Sequence, residues 1–155
     1  MPTSIGTAQF DPPAAFGWTE TTMSFRAPPT DAVRDPRMLQ KQALVARPNL
    51  VVNQRTTTDF RTINDVADDV TKKLMATVKD LQDLQAAAFQ FADGKEGMLI
   101  SYVFPYHKES MLKQMHAVRL DDDTVTTLVL TCGSAITDEQ EQEYIHSLTT
   151  MTVNA

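Results

Sequence analysis

The sequence predicts an α+β fold in which an antiparallel β-sheet packs against two main helices. A long segment after Thr62 carries apolar residues every three or four positions, which indicates an amphipathic helix. Four segments rich in β-forming residues follow it and are joined by short turns, which favours an antiparallel meander. A second helical segment follows Thr137. Two helices separated by a run of strands are typical of a layered α+β domain.

The first part of the chain is predicted to hold two clear strands. Residues 1–17 contain prolines and few periodic apolar residues, so they are interpreted as an irregular lead-in, and residues 18–155 as a single domain. Apolar and polar residues alternate over Trp18–Ala27, which predicts a half-buried strand. The β-branched segment Asn49–Arg55 predicts a second strand. Residues 38–46 fit either a strand or a short helix.

The second part is predicted to form a helix, four strands and a final helix. Thr62 or Asp59 is expected to cap the first helix, and Thr137 is expected to cap the last with help from Gln140 or Glu141. The acidic triplet at 121–123 lacks the ligand spacing of a calcium loop, so a solvated turn is predicted there. The four predicted strands are Gln85–Phe91, Met98–Phe104, Met111–Leu120 and Thr124–Cys132.

Composition and charge disfavour several classes of protein. The 155 residues carry a formal net charge of −6, and the 14 lysines and arginines are scattered, whereas nucleic-acid binders concentrate positive charge. The start of the chain has no signal-peptide pattern, and no apolar run is long enough to span a bilayer. We therefore expect a cytoplasmic protein with no direct membrane insertion and no nucleic-acid partner.

No residue pattern in the sequence indicates a catalytic, metal or cofactor site. His107, His116 and His146 fall in different elements without the spacing of a metal motif. Cys132 is predicted to be a buried structural residue. Glycine-rich phosphate loops and hydrolase motifs are missing from the sequence, so a non-enzymatic protein without a cofactor is predicted. A weaker alternative is an enzyme built from scattered residues: Tyr106, His107 and Glu109.

Several predicted strands are apolar on both sides. Met98–Phe104 is nearly continuous in apolar residues, and Leu50, Val51 and Val52 are consecutive. Strands of this kind are covered on both faces. Either helices cover both faces of the sheet, or a partner or second copy of the chain completes part of one face.

Taken together, these segments resemble the DcrB-related domain, which has a PsbP-like α/β/α sandwich. The resemblance covers roughly Thr19 to Val153. Within the family, the chain is similar in particular to short members without a signal peptide, the Eag chaperones of type VI secretion effectors. The segments that carry it are NLVVNQR (Asn49–Arg55), LISYVF (Leu99–Phe104), MLKQMHAVRLDDDTVTTLVLTC (Met111–Cys132) and TDEQEQEYIHSLTTM (Thr137–Met151).

The resemblance implies a curved antiparallel sheet, a homodimer and a role as a chaperone or adaptor. The implied partner is the hydrophobic, transmembrane-like N-terminal region of a secretion effector, held on the sheet by helix-in-groove recognition. The alternative is a non-enzymatic structural or assembly subunit of a secretion or envelope-associated machine, which would use the same sandwich without a hydrophobic client.

The matching strands suggest partner-binding residues on one face of the sheet. The first possibility is the set Met23, Phe25, Leu50 and Val52, and the second is the set of their opposite-face neighbours, because a register error of one residue exchanges the faces. The larger apolar set more naturally fills the core, while small polar and apolar groups can bind a client reversibly. The predicted partner-binding residues are therefore Thr22, Ser24, Val51, Asn53 and His116.

Overall fold

A computed structural model describes residues 3–5, 8–11, 16–19, 22–25, 48–106 and 110–153 of the chain. Ten strands and two helices lie in these ranges. The strands are β1 (Thr3–Ile5), β2 (Ala8–Phe10), β3 (Phe16–Thr19), β4 (Thr22–Phe25), β5 (Asn49–Thr56), β6 (Gln82–Gln90), β7 (Glu96–Tyr106), β8 (Ser110–Asp121), β9 (Thr124–Gly133) and β10 (Thr152–Val153), and the helices are α1 (Ile63–Thr77) and α2 (Asp138–Thr149).

The main sheet has seven strands in the order β3-β4-β5-β9-β8-β7-β6, and all neighbours are antiparallel. Strands β6 to β9 form the predicted meander. Strand β5 pairs with β9, which is the last strand of the meander. A second sheet of three short strands has the order β1-β2-β10. The α+β class and the antiparallel sheet predicted from the sequence are confirmed.

Each face of the main sheet is covered by a different set of elements. We call the face that carries Leu50 and Val52 face A, and the face that carries Val51 and Asn53 face B. Face A packs against β2 and α2 in the larger apolar core. Face B packs against α1 in a second apolar cluster. Helices on both faces account for the strands that are apolar on both sides.

The core on face A is built from alternate residues of the strands together with residues of β2 and α2. Its most deeply buried members are all hydrophobic, and they are Ala8, Phe10, Leu50, Phe91, Met115, Ala117, Leu128, Leu130, Cys132, Leu148 and Met151. On face B, Val66 and Ala67 of α1 pack against Ile100, Val118 and Val125.

Both helices begin with the capping arrangements expected from the sequence. The Thr62 hydroxyl accepts a hydrogen bond from the Asp65 amide at 3.2 Å, and the Asp65 carboxylate accepts one from the Thr62 amide at 3.2 Å. In α2, Thr137 accepts from the Gln140 amide and the Gln140 side chain accepts from the Thr137 amide, each at 3.1 Å. These capping boxes satisfy amide groups that have no partner inside the helix.

Replacing Thr137 by alanine is expected to lower the free energy of unfolding by about 1 kcal/mol, since it removes the acceptor for the Gln140 amide. Urea unfolding followed by circular dichroism measures this change. Thr137→Ser is the matched control, because serine keeps the hydroxyl acceptor, and it should retain most of the stability. Equal losses in the two variants would contradict the capping role.

Two predictions about the start of the chain are wrong. Residues 1–17 were predicted to be irregular, but Thr3–Ile5 and Ala8–Phe10 are strands, and Ala8 and Phe10 are buried in the core on face A. A three-residue strand shows hardly one period of alternation, so periodicity does not reveal it. The predicted single strand Trp18–Ala27 is replaced by a hairpin of β3 and β4, in which Thr19 pairs with Thr22. The segment at residues 38–46 lies outside the described residues.

A buried arginine joins three parts of the fold. Arg119 is only 2% exposed, and its guanidinium lies 5.0 Å from the ring centroid of Phe91. It donates to both carboxylate oxygens of Asp121 at 2.8 and 3.0 Å, and to both of Asp93 at 3.3 and 2.8 Å. Its Nη1 also donates to the Met151 carbonyl at 2.8 Å. All five N–H groups of the guanidinium are therefore used.

The Arg119 cluster corrects the interpretation of the acidic triplet. Asp122 and Asp123 are exposed, as a solvated turn requires, but Asp121 is half-buried and pairs with Arg119. Asp122 has a positive φ of 52°, which fits the tight turn between β8 and β9. The triplet thus combines a turn with an acceptor for a buried cation.

Candidate functional site

The predicted partner-binding positions fall on one face of the main sheet. In the antiparallel register Thr22 is opposite Val51, Val51 is opposite Val129, and Val129 is opposite His116. Residues directly opposite each other in neighbouring strands share a face. These four positions therefore form one row across β4, β5, β9 and β8 on face B, which we call the central row.

The remaining two predicted positions lie beside the central row. Ser24 is opposite Asn49, and Asn53 is opposite Thr127, each two residues along its strand from the central row. Residues two apart in one strand lie on the same face, so Ser24 shares face B with Thr22, and Asn53 shares it with Val51. The five predicted positions are thus brought together, and their role in binding a partner stays a prediction.

The burial of β5 alternates between the two faces as expected from the sequence. Leu50 and Val52 are buried in the core on face A, whereas Val51 is half-buried and Asn53 is exposed. Val129, which the sequence analysis did not single out, is half-buried in the central row. Val51 and Val129 together give the row an apolar centre.

A hydrogen-bonded cluster of neutral polar groups borders the central row. The Tyr102 hydroxyl donates to the Gln114 side-chain oxygen and lies 3.2 Å from Nε2 of His116. The Gln114 amide donates to the Thr131 hydroxyl at 3.0 Å. We call Tyr102, Gln114, His116 and Thr131 the tyrosine cluster.

Sequence reasoning identified only His116 in the tyrosine cluster. Gln114 and His116 are polar residues at alternate positions of a strand that is otherwise largely apolar on that face, which was an available signal. The contacts of Tyr102 and Thr131 depend on strand register, which a single sequence does not fix.

Burial keeps the titratable members of the tyrosine cluster uncharged at neutral pH. It lowers the pKa of His116 from 6.5 to about 4 and raises the pKa of Tyr102 from 10.0 to about 12. A histidine that is neutral well below pH 7 is poorly matched to acid–base chemistry at physiological pH. The tyrosine cluster is therefore better suited to neutral hydrogen bonding than to proton transfer.

A cleft of about 320 Å³ opens between α1 and the sheet beside His116. We call it the α1 cleft. Its apolar walls come from Val70 and Leu74 of α1 and from Val125 and Val129 of β9. The cleft continues the apolar centre of the central row towards α1.

Charged residues stand on one side of the α1 cleft. Asp69 pairs with Lys73 at 2.9 Å and with Arg55 at 3.4 Å, and all three residues line the cleft. The hydrogen bond from Lys73 leads the effects that lower the pKa of Asp69 below 3.8. One carboxylate pairs with two cations, so these three residues together carry a net charge of +1.

The other reactive residues considered from the sequence are placed away from this face or outside the described residues. Cys132 is buried on face A, and burial is the main cause that raises its pKa to about 11, so the thiol is a weak nucleophile at neutral pH. His146 is exposed in the last turn of α2. His107 and Glu109 lie outside the described residues, and so does the Tyr106 side chain.

Within the described ranges, no group of three or more histidine, cysteine or acidic side chains is arranged to hold a metal ion. None of the helices described here combines the length and apolarity needed to cross a membrane.

Comparison with known proteins places the fold. No protein-family model and no curated protein matches the chain. A candidate regulator of unknown function from Pseudomonas aeruginosa is similar, with a TM-score of 0.59 and 14% identity over 100% of this chain and 97% of that protein. The cyanobacterial PsbP protein CyanoP of Synechocystis has a TM-score of 0.59 and 18% identity over 96% and 87% of the two chains.

A third similar structure is the Ran-binding protein Mog1p of Saccharomyces cerevisiae, with a TM-score of 0.54 and 10% identity over 99% of this chain and 95% of that protein. Identities this low show a shared fold alone. The PsbP-like fold implied by the resemblance is confirmed, and the assignment to the DcrB-related domain and the Eag chaperones stays a prediction.

Proposed function

We propose that this chain is a cytoplasmic, non-enzymatic chaperone or adaptor that holds a transmembrane-like helix of a type VI secretion effector on face B. The observation that carries the proposal is the uncharged surface around the central row. There, half-buried valines adjoin polar groups that already bond to one another.

The chemistry of this surface fits an apolar helix. Val51 and Val129 offer apolar area, and the tyrosine cluster is neutral at pH 7. A charged partner segment seated over Val51 and Val129 would lose its hydration, and the central row itself has no charged residue to compensate, which is costly. An apolar segment loses no such hydration and gains from burial of its surface.

The polar border adds recognition of small polar groups on the same helix. Asn49 and Thr127 are half-buried, and Asn53 is exposed, so amide and hydroxyl groups lie next to the apolar centre. Serine and threonine on transmembrane helices form hydrogen bonds of this kind with neighbouring helices. A mixed surface thus binds the client while allowing its later release.

Two further observations support a binding role. The similar structure Mog1p is a Ran-binding protein, so in that protein this fold serves protein recognition. In the present chain, burial moves the pKa of His116 and Tyr102 away from neutrality. That direction is opposite to the tuning expected of a catalytic acid or base.

Co-expression with a neighbouring gene product that carries transmembrane-like helices tests the proposal. We expect a stable complex and a gain in the solubility of the client. Val51→Asp should weaken binding at least about tenfold, because the complex would bury an unpaired carboxylate. Titration of purified protein with a fluorescently labelled peptide of the client helix measures this change.

Ala76→Asp is the matched control, because it adds the same charge at an exposed position of α1. It should leave client binding unchanged. Circular dichroism of both variants establishes that they are folded. Co-expression that yields neither a complex nor a more soluble client would overturn the proposal, and so would equal binding by the Val51→Asp variant and the wild type.

A further inference from the structure

Strand β6 is an edge strand of the main sheet. Among the residues that the structure describes, it pairs with β7 on one side and with no strand on the other. Alternate residues of an edge strand direct unpaired N–H and C=O groups outward, which makes the edge a template for another strand. The register with β7 shifts between Gln82 and Gln85, and Asp83 in this bulge is charged, so the first end of β6 is protected against pairing.

The rest of β6 has a regular and uncharged edge. From Leu84 to Gln90 the strand contains no charged residue and no proline, and its register with β7 is regular from Gln85 onward. We call Leu84–Gln90 the free edge segment. The three alanines at 86–88 in its centre are exposed. Its outward backbone groups are suited to an extended strand, because a helix uses its backbone groups internally.

A cleft of about 350 Å³ opens on face B beside the free edge segment, and we call it the β6 cleft. Its apolar walls come from Ile63 of α1, Phe89 of β6 and Met98 of β7. Ala88 also lines the cleft and is opposite Met98, which packs against the α1 cluster on face B. Residues opposite each other in neighbouring strands share a face. In a strand added to β6, the side chain opposite Ala88 would therefore lie at the β6 cleft.

Exposed carboxylates stand at both ends of the free edge segment. Asp83 directly precedes it, and Glu96 is opposite Gln90, its last residue, and lines the β6 cleft. Within the described parts of the chain, neither carboxylate forms an ion pair. The net charge of −6 also favours basic partners over acidic ones. A strand with a neutral centre and basic residues near its ends is therefore complementary to this edge.

We propose that the free edge segment binds an extended segment of another protein as an added β-strand, with an apolar side chain in the β6 cleft and basic residues near Asp83 and Glu96. Backbone hydrogen bonds supply the affinity, and the cleft and the two carboxylates supply the selectivity. Since one added strand buries a modest area, we expect a dissociation constant of about 10–100 µM. The proposal does not depend on the helical client of face B, because β6 lies beyond β7 and outside the central row.

A synthetic peptide added to the full chain tests the proposal. The probe is a short fluorescein-labelled peptide of alternating threonine and valine, with a central leucine and a lysine at each end. Fluorescence anisotropy measures its binding, and amide hydrogen exchange should show that the β6 amides gain protection when it binds. Two further peptides carry N-methyl groups on alternate residues, in one frame or the other. Only one of them should lose binding, because only alternate N–H groups of a strand face β6.

Reversing the charge beside the β6 cleft separates selectivity from backbone pairing. Glu96→Lys should weaken binding of the lysine-ended peptide at least about threefold, and it should bind a glutamate-ended peptide more tightly than the wild type does. Glu143→Lys is the matched control, because it makes the same change of charge at an exposed position of α2. It should bind both peptides as the wild type does.

Replacing the central leucine of the probe by alanine should weaken binding about fivefold, since the apolar contact in the β6 cleft is lost. Four results would each overturn the proposal: no binding by the wild type, equal binding of the two N-methylated peptides, unchanged peptide preference in Glu96→Lys, or no gain of protection in β6. Protection of β6 that rises with the concentration of the chain alone would also overturn it, because a second copy would then occupy the edge.

Discussion

Replacing Arg119 by alanine is expected to lower the free energy of unfolding by roughly 3–5 kcal/mol, the range for breaking a buried ion pair by removing one partner. The change removes all five hydrogen bonds of the guanidinium and leaves the Met151 carbonyl without its Arg119 donor. Burial works to raise the pKa of Asp93, but the Arg119 hydrogen bond helps to keep it below 3.8. Urea unfolding at pH 7 measures the loss.

A control for this prediction removes a neighbouring cation that is exposed. Lys95 lies 3.9 Å from Asp121, and its side chain is 45% exposed. Lys95→Ala should cost less than about 1 kcal/mol, as exposed ion pairs do. If Arg119→Ala cost no more than Lys95→Ala, the Arg119 cluster would not be the junction that we describe.

Acidification from pH 6.5 to pH 4 is expected to remove on the order of 3 kcal/mol of stability through His116 alone. Burial lowers the pKa of His116 from 6.5 to about 4. The unfolded chain therefore binds a proton at this residue in a range of pH where the folded chain does not. The stability that neutral His116 contributes to the folded state is fully present above pH 6.5, and it is lost as the pH falls through about 4.

His116→Gln separates this effect from the titration of carboxylates. Glutamine does not titrate, and its side-chain amide can donate to the Tyr102 hydroxyl oxygen, whose own proton goes to Gln114. The variant's unfolding free energy, measured by urea titration at several pH values, should change less than that of the wild type between pH 6.5 and 4. Arg55, Asp69 and Lys73 line the same cleft and are unchanged in both proteins, so they do not affect the comparison. Identical pH profiles would show that His116 is not buried in its neutral form.

The elements with long or repeated patterns could be predicted from the sequence. The helix after Thr62 repeats its apolar spacing over several turns, and the β-branched segment at Asn49 alternates between two faces. Local chemistry fixed the helix starts, because a threonine with an acceptor three residues later forms a capping box. Because the turns between the four strands of the meander are short, consecutive strands were expected to pair in the antiparallel direction.

The parts that could not be predicted depend on contacts between residues distant in the chain. The strands β1 and β2 are too short to show a period, and their place in the core depends on packing against face A. The partners of Arg119 come from three places in the chain: Asp93 lies between β6 and β7, Asp121 ends β8, and Met151 lies between α2 and β10. The tyrosine cluster requires β7, β8 and β9 in one register. Sequence periodicity gives the face of a residue but not its cross-strand neighbour.

The candidate site shows the same division. Alternation on β5 allowed Val51 and Asn53 to be separated from Leu50 and Val52, and the burial of these residues agrees with that separation. Val129 was not selected, although the register places it between Val51 and His116. Its role in the central row follows only from the order β5-β9-β8 of the strands.

Site-specific photo-crosslinking tests most directly whether face B holds the client. A photoreactive amino acid at Val129 would probe the centre of the surface, and the same amino acid at Ala76 would probe the exposed side of α1. We expect Val129 to crosslink to the transmembrane-like helix of the client in the co-expressed complex, and Ala76 to give no client adduct. A complex that forms normally and crosslinks from Ala76 but not from Val129 would contradict the assignment of face B as the binding surface.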